Sequence, residues 1–256
     1  MEYILVFIFG TIIGSFLNVC IYRLPLGKSI VGPRSFCPFC TKPIKWFDNI
    51  PLISFIVLRR RCRSCGTPIP VRYFFVELAT ALIGIALLYY FTLTPKFFVY
   101  WFFSCALIII AAIDIEHQEI PDVISVSGIF IGLILMTALR LDGSASYLKS
   151  FLNSGLGILA GGGSMFLLGM AGELIFKKEA LGGGDVKLMG MIGAFLGWKM
   201  VLLTFFLAPI LGAGVGLFMK IRFRKEVIAY GPYLSLGALI SLLYGDKILN
   251  YLFFSL

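Results

Sequence analysis

The sequence predicts an all-α polytopic membrane protein of about eight transmembrane helices, carrying one small cytoplasmic loop domain of the four-cysteine, zinc-binding type. Three observations predict it. The 256 residues are 59% apolar, where a soluble domain is nearer half. Five nearly uncharged segments recur (Tyr3–Ile21, Tyr73–Tyr90, Phe97–Ile113, Val123–Leu139 and Phe151–Phe176), each long enough to cross a hydrocarbon core of about 30 Å as a helix. One basic stretch, residues 22–72, gathers four of the six cysteines into two C-x-x-C pairs. Backbone groups in lipid must bond internally, and no barrel-like alternation appears, so the spans are helices.

The first apolar run lacks a basic start, and Arg23 follows it directly, so it reads as a permanent span rather than a cleaved signal. Spans are then expected near 3–21, 73–92, 97–113, 122–139, 151–176, 186–198, 200–219 and 229–245, with a short amphipathic interfacial tail after Asp246. With the N-terminus outside, the inside segments hold 17 of the 22 Lys and Arg residues. Ten lie in the 22–72 loop, and the rest are Lys177, Lys178, Lys187, Lys220, Arg222, Arg224 and Lys225. The outside keeps Lys96, Arg140, Lys149, Lys199 and Lys247. This asymmetry orients the chain. The net charge of +9 is therefore a topology signal first and a source of anionic-lipid contact second, and it does not imply nucleic-acid binding. Two regions follow: 1–92, two spans with the loop between them, and 97–256, the remaining membrane part. No internal repeat stands out.

Within the loop, Cys37 and Cys40 form one pair and Cys62 and Cys65 the other, with 21 residues between the pairs, slightly more than a four-cysteine zinc knuckle usually has. A two-residue gap lets both thiolates of a pair face one ion, and two pairs complete a tetrahedron. Two disulfides are the alternative, disfavoured by a reducing interior. Four protein ligands leave no open position, so the zinc is expected to be structural. Cys20 and Cys105 sit alone inside spans and read as small packing residues.

The stretch "LGGGDVKLMG", 181–190, raises the chemical question. The apolar run after it, Leu188–Trp198, is short. A helix from Asp185 to Trp198 rises about 20 Å, so with Trp198 at the outer face Asp185 lies roughly 10 Å inside the inner boundary of the hydrocarbon. Gly182, Gly183 and Gly184 would let the chain turn sharply there and let a peptide approach, with Asp185 capping a helix that starts at Val186. An ionisable group at that depth calls for a function and a partner. The partner is sought in "AAIDIEHQEIPD". Asp122 follows Pro121 and reads as a helix N-cap. Asp114 ends the third span, where the helix dipole does not favour a carboxylate, and is the preferred partner. Two such acids share one proton, one acting as base on water and the other polarising a peptide carbonyl. His117 reads as a juxtamembrane polar residue. Glu77 is expected to meet Arg72 or a cytosolic cavity, and Glu173 to pair with Lys177 four residues on.

At these residues the sequence resembles the bacterial prepilin peptidases, or type IV leader peptidases. The likeness runs through "GSFLNVCIYRLP" at 14–25, "CPFC" and "WFDNIPLISF" at 37–40 and 46–55, "CRSCG" with "RYFFVEL" at 62–78, "IDIEHQEIPD" at 113–122, "GGGDVK" at 182–187 and "YGPYLSLGA" at 230–238. The resemblance implies an intramembrane aspartyl endopeptidase of the GxGD type in the bacterial inner membrane. Such an enzyme removes the basic leader of prepilins or pseudopilins after a glycine, and in many members N-methylates the new terminus using S-adenosylmethionine. Pili and secretion pseudopili are both possible destinations of the product. The resemblance places the catalytic pair on Asp114 and Asp185, the supporting loop on Gly182–Gly184, the zinc ligands on Cys37, Cys40, Cys62 and Cys65, and methyl transfer with the 1–92 region. Lys187 would steady an acidic substrate group or act on the aspartate pair, unless it is an interfacial lysine reaching for water. The chain departs from the family in having Arg60 where glycine is common and "AYGP" at 229–232 where "PFGP" is common. Arg60 lies in the methyl-transfer half and makes that activity the less secure. The competing readings are a peptidase without methyl transfer and a cation or proton transporter with intramembrane aspartates.

Overall fold

The computed structural model describes residues 1–177, 182–223 and 229–254. Lys178, Arg224 and Lys225, counted above among the inside cations, lie outside the described residues. The architecture is helical throughout: α1 (Glu2–Arg23), α2 (Ile53–Val57), α3 (Arg72–Phe91), α4 (Pro95–His117), α5 (Asp122–Leu139), α6 (Tyr147–Phe176), α7 (Gly183–Phe223) and α8 (Gly231–Phe254). Among the described residues, α1, α3, α4, α5, α6 and α7 are long and apolar enough to cross a membrane. The protein is multi-pass. The chain divides into two compact units, Met1–Ile109 and Ile110–Leu256.

In the first unit α1 packs on α3. Glycines four apart on α1 make this possible: a Cβ on Gly10 or Gly14 would stand 2.6 Å from the Cα of Ala81 or Glu77. Small residues at this spacing let two helix backbones meet in lipid, where burial of apolar surface gives no drive of its own. Gly84 receives the Trp101 ring in the same way, and the indole N–H donates to the Thr80 carbonyl at 3.3 Å. Glu77 is buried and accepts a hydrogen bond from the Leu52 amide at 2.8 Å, which ties the start of α2 to α3. The Leu52 amide and the Ser15 side chain are the partners seen for the Glu77 carboxylate.

In the second unit α7 is the hub, packed by α5, α6 and α8. Gly157 of α6 and Gly193 of α7 put backbone against backbone, leaving no room for a Cβ on either. The expected spans 186–198 and 200–219 are two limbs of one helix broken at Gly197, whose φ of 76° falls in the left-handed region that glycine enters without steric penalty. Asn153 fills the space a side chain there would need. Asn153 in turn donates to Asp142 at 3.2 Å, and Asp142 also accepts from Ser150 at 2.7 Å, so the α5–α6 turn braces the break. The expected interfacial tail is not separate, since α8 runs unbroken from Gly231 to Phe254. Lys177 stands at the C-cap of α6 in a left-handed conformation, outside the helix on which it was expected to pair with Glu173.

Candidate active site

Three chain ends converge in the second unit: the last turn of α4, the first turn of α7 and the first residue of α8. Asp114 lies one turn before the end of α4, which continues to His117. The residue is 6% exposed, and its Oδ2 accepts a hydrogen bond from the Gly231 amide at 2.8 Å. Gly231 opens α8, so that amide is one of the donors a helix start leaves unsatisfied. Asp114 is therefore stabilised, contrary to the expectation from its own helix alone. Its own helix end repels it, but the positive end of α8 receives it. A Cβ on Gly231 would stand 2.8 Å from Oδ2, so only glycine permits this approach.

Asp185 lies in the first turn of α7, which begins at Gly183 rather than Val186. It is thus inside the helix, and its amide donates to the Gly182 carbonyl at 3.1 Å. The Gly182 backbone also faces its carboxylate. Neither Gly183 nor Gly184 takes a positive φ, so the sharp turn expected at these two does not occur. Gly184 serves a different purpose: a Cβ there would come within 2.9 Å of Ile120. The α4–α5 connection therefore lies directly on the start of α7. That seating brings Asp114 and Asp185 close enough to act on each other electrostatically. Asp185 also acts on Tyr230. Tyr230 and Gly231 were quoted only as part of a motif, and no role was read from them. They lie 45 and 46 positions after Asp185 and 116 and 117 after Asp114, so no local pattern around either aspartate announces them.

Asp122 is the first residue of α5, not its cap; Pro121 holds the capping position and no side chain caps the helix. The Asp122 carboxylate instead receives the Lys187 ammonium, at 2.7 Å to both oxygens. The pair is 42% and 61% exposed on its two sides, so it orients two helix starts more than it stabilises them. We expect Asp122→Asn to lower stability by less than about 1 kcal/mol, read as a small drop in thermal midpoint that shrinks in high salt. A large loss at any salt concentration would show instead that this pair holds α5 to α7.

In the first unit the Sγ atoms of Cys37, Cys40, Cys62 and Cys65 all lie within 4.8 Å of one another, and those of Cys37 and Cys65 are 3.8 Å apart. None is in a disulfide. Four thiolates about 2.3 Å from one tetrahedral ion stand about 3.8 Å apart, so the cluster has the dimensions of a metal site. It is built from two copies of one turn. In the first, the amide of Cys37 bonds Lys42 and that of Thr41 bonds Cys37; in the second, Cys62 bonds Thr67 and Gly66 bonds Cys62. Bridges Phe36–Pro43 and Arg61–Pro68 close the two turns alike. The sequence contains the repeat, C-x-x-C-x-x-P-I at 37–44 and again at 62–69, which corrects the reading that no repeat is present.

Two family models match the chain: the bacterial peptidase A24 N-terminal domain over residues 8–91 and the type IV leader peptidase family over residues 101–217. A prepilin leader peptidase/N-methyltransferase of Myxococcus xanthus is 40% identical over 216 residues, which span 84% of this chain but only 62% of that protein. A protein of the same description from Aeromonas hydrophila is 34% identical, over 95% of this chain and 91% of its own length. Another from Pseudomonas aeruginosa is 34% identical over 93% and 89%. No solved structure matches the chain.

Proposed function

Since the chain belongs to the type IV leader peptidase family, we propose that it cleaves the basic leader from prepilins or pseudopilins at the inner face of the bacterial cytoplasmic membrane, with Asp114 and Asp185 as the catalytic pair, and N-methylates the exposed terminus. The observation that carries the peptidase reading is that two aspartates, 71 positions apart in the chain, stand at adjoining helix ends within electrostatic reach of each other. One carboxylate takes a proton from water as the oxygen attacks the scissile carbonyl carbon. The other, protonated, donates to the carbonyl oxygen. Collapse of the tetrahedral species returns the carbonyl, breaks the C–N bond and delivers a proton to the departing amine. No metal or covalent intermediate is required.

The topology suits the substrate. A prepilin with a basic leader inside and an apolar helix in the bilayer offers its scissile bond at the boundary where these helix ends would lie with the N-terminus outside. Gly182–Gly184 lead into α7, and Lys187, bound to Asp122, fixes that helix start against α5. Zinc is the metal we assign to the four cysteines, because four thiolates and a tetrahedral spacing suit it. A transporter reading has no use for this cluster. The test is mass spectrometry of a prepilin co-expressed with the protein. Loss of the leader after a glycine, with a further 14 Da (about one methylene) on the new terminus, is expected. An unprocessed prepilin would overturn the peptidase reading, and a cleaved but unmethylated one the transferase reading.

A further inference from the structure

A cavity of about 810 Å³ opens in the cysteine loop, lined by Arg34, Ser35, Lys45, Trp46, Phe47 and Asn49 among others. Its size falls within the range of small-molecule sites. Its walls are fixed from both cysteine turns. On one side the Ile44 amide bonds the Ser35 carbonyl, flanking the first turn. On the other, Arg63, next to Cys62, grips Asp48 at 2.7 Å and lies over the Phe47 ring at 5.6 Å. The 3₁₀ turn Trp46–Asn49 is therefore stapled to the second cysteine turn. Within this frame Trp46 is 77% exposed and stands nearly perpendicular to Phe47, at 83°. Among the described residues, no carboxylate lies within ion-pair distance of Arg34 or Lys45. An exposed indole face, two cations and an amide thus share one hollow, the Lys45 ammonium lying 5.6 Å over the Phe47 ring.

We propose that this cavity binds the methyl donor, an adenosyl sulfonium amino acid, an inference that rests on the methyl-transfer reading above. Four of the lining groups answer parts of that molecule. The indole offers a plane for the purine and its electron-rich face attracts the sulfonium. Arg34 and Lys45 meet the carboxylate, and Asn49 offers both a donor and an acceptor to a base edge or ribose. An anionic lipid surface would use the cations and the indole as well, but it has no need of the Asn49 amide held in the same hollow. In the transfer itself the acceptor amine, uncharged, forms an N–C bond to the methyl carbon as the C–S bond breaks. The bonding pair stays on sulfur, the product is a neutral thioether, and the amine's proton passes to water. The zinc cluster then acquires a reason for its place, since it holds both walls of the donor site.

The experiment uses full-length, zinc-loaded protein in detergent. Binding of radiolabelled S-adenosylmethionine is measured by equilibrium dialysis, and the site of ultraviolet cross-linking by peptide mapping. The label is expected in the peptide containing Trp46. Trp46→Ala and Arg34→Gln should each weaken binding tenfold or more, and Trp46→Phe should retain most of it. Zinc content and prepilin cleavage should be unchanged. If Trp46→Ala loses zinc, Arg34→Gln and Trp46→Phe decide the matter. Wild-type affinity in both Trp46→Ala and Arg34→Gln, or a label mapping elsewhere, would overturn the site while leaving methyl transfer intact. So would variants whose only defect is weaker sedimentation with anionic vesicles, which would mark a headgroup site. Absence of binding to wild-type protein, together with an unmethylated pilin, would instead remove the reading on which the inference rests.

Discussion

Asp114→Asn and Asp185→Asn, each made alone, are expected to abolish cleavage of a co-expressed prepilin while the protein accumulates and melts as the wild type does. A positioned acid or base contributes about 10²–10⁴ in rate. Where two groups share one proton, losing either removes both roles at once. Asparagine cannot take a proton from water, yet it keeps the shape and one carbonyl oxygen. In Asp114→Asn that oxygen still accepts from the Gly231 amide that Asp114 holds at 2.8 Å, so α8 keeps its anchor. In Asp185→Asn the backbone bond from residue 185 to Gly182 is untouched. Loss of processing with normal expression and melting is thus a chemical effect and not a folding one. An immunoblot separating leader-bearing from mature pilin reads the outcome. If both variants still process the pilin, these two aspartates are not the catalytic pair.

How far these residues could be found beforehand depends on how local their signals are. Helix α3 and the start of α1 were legible because apolar length alone dictates a span. The break at Gly197 was harder, because Trp198 and Lys199 look like an interface and the helix resumes directly beyond it. Asp114 was chosen on a dipole argument that considered only its own helix. What receives it is an amide 117 positions later, and no local pattern encodes such a meeting. The glycines before Asp185 show the same limit. A run of three suggests a flexible turn, but Gly184 exists for the approach of Ile120 and Gly183 is simply helical. The cysteine repeat was there to be read, with four of eight positions identical between 37–44 and 62–69. It escapes notice because the turns are short and their bonding is backbone to backbone.

The second large effect concerns metal. Purified protein is expected to carry about one zinc per chain, and Cys62→Ser with Cys65→Ser is expected to lose it. The loop has nothing else to fold around. Between Leu24 and Phe75 the only buried residue is Cys37, itself a ligand. A segment of this size cannot raise a core that offsets its chain entropy, whereas a structural zinc contributes roughly 10–16 kcal/mol in peptide systems at neutral pH. Serine offers no thiolate, and removing the second pair leaves two ligands, too few for a closed tetrahedron. The staple from Arg63 to Asp48 sits beside the lost pair and, with its arginine half-exposed, cannot hold the turn alone. Elemental analysis by mass spectrometry gives the stoichiometry, and limited proteolysis should cut the variant first within residues 24–71. Zinc-free wild-type protein with both cysteine pairs oxidised would contradict the site and also the inside placement of the loop, since disulfides there imply an oxidising compartment.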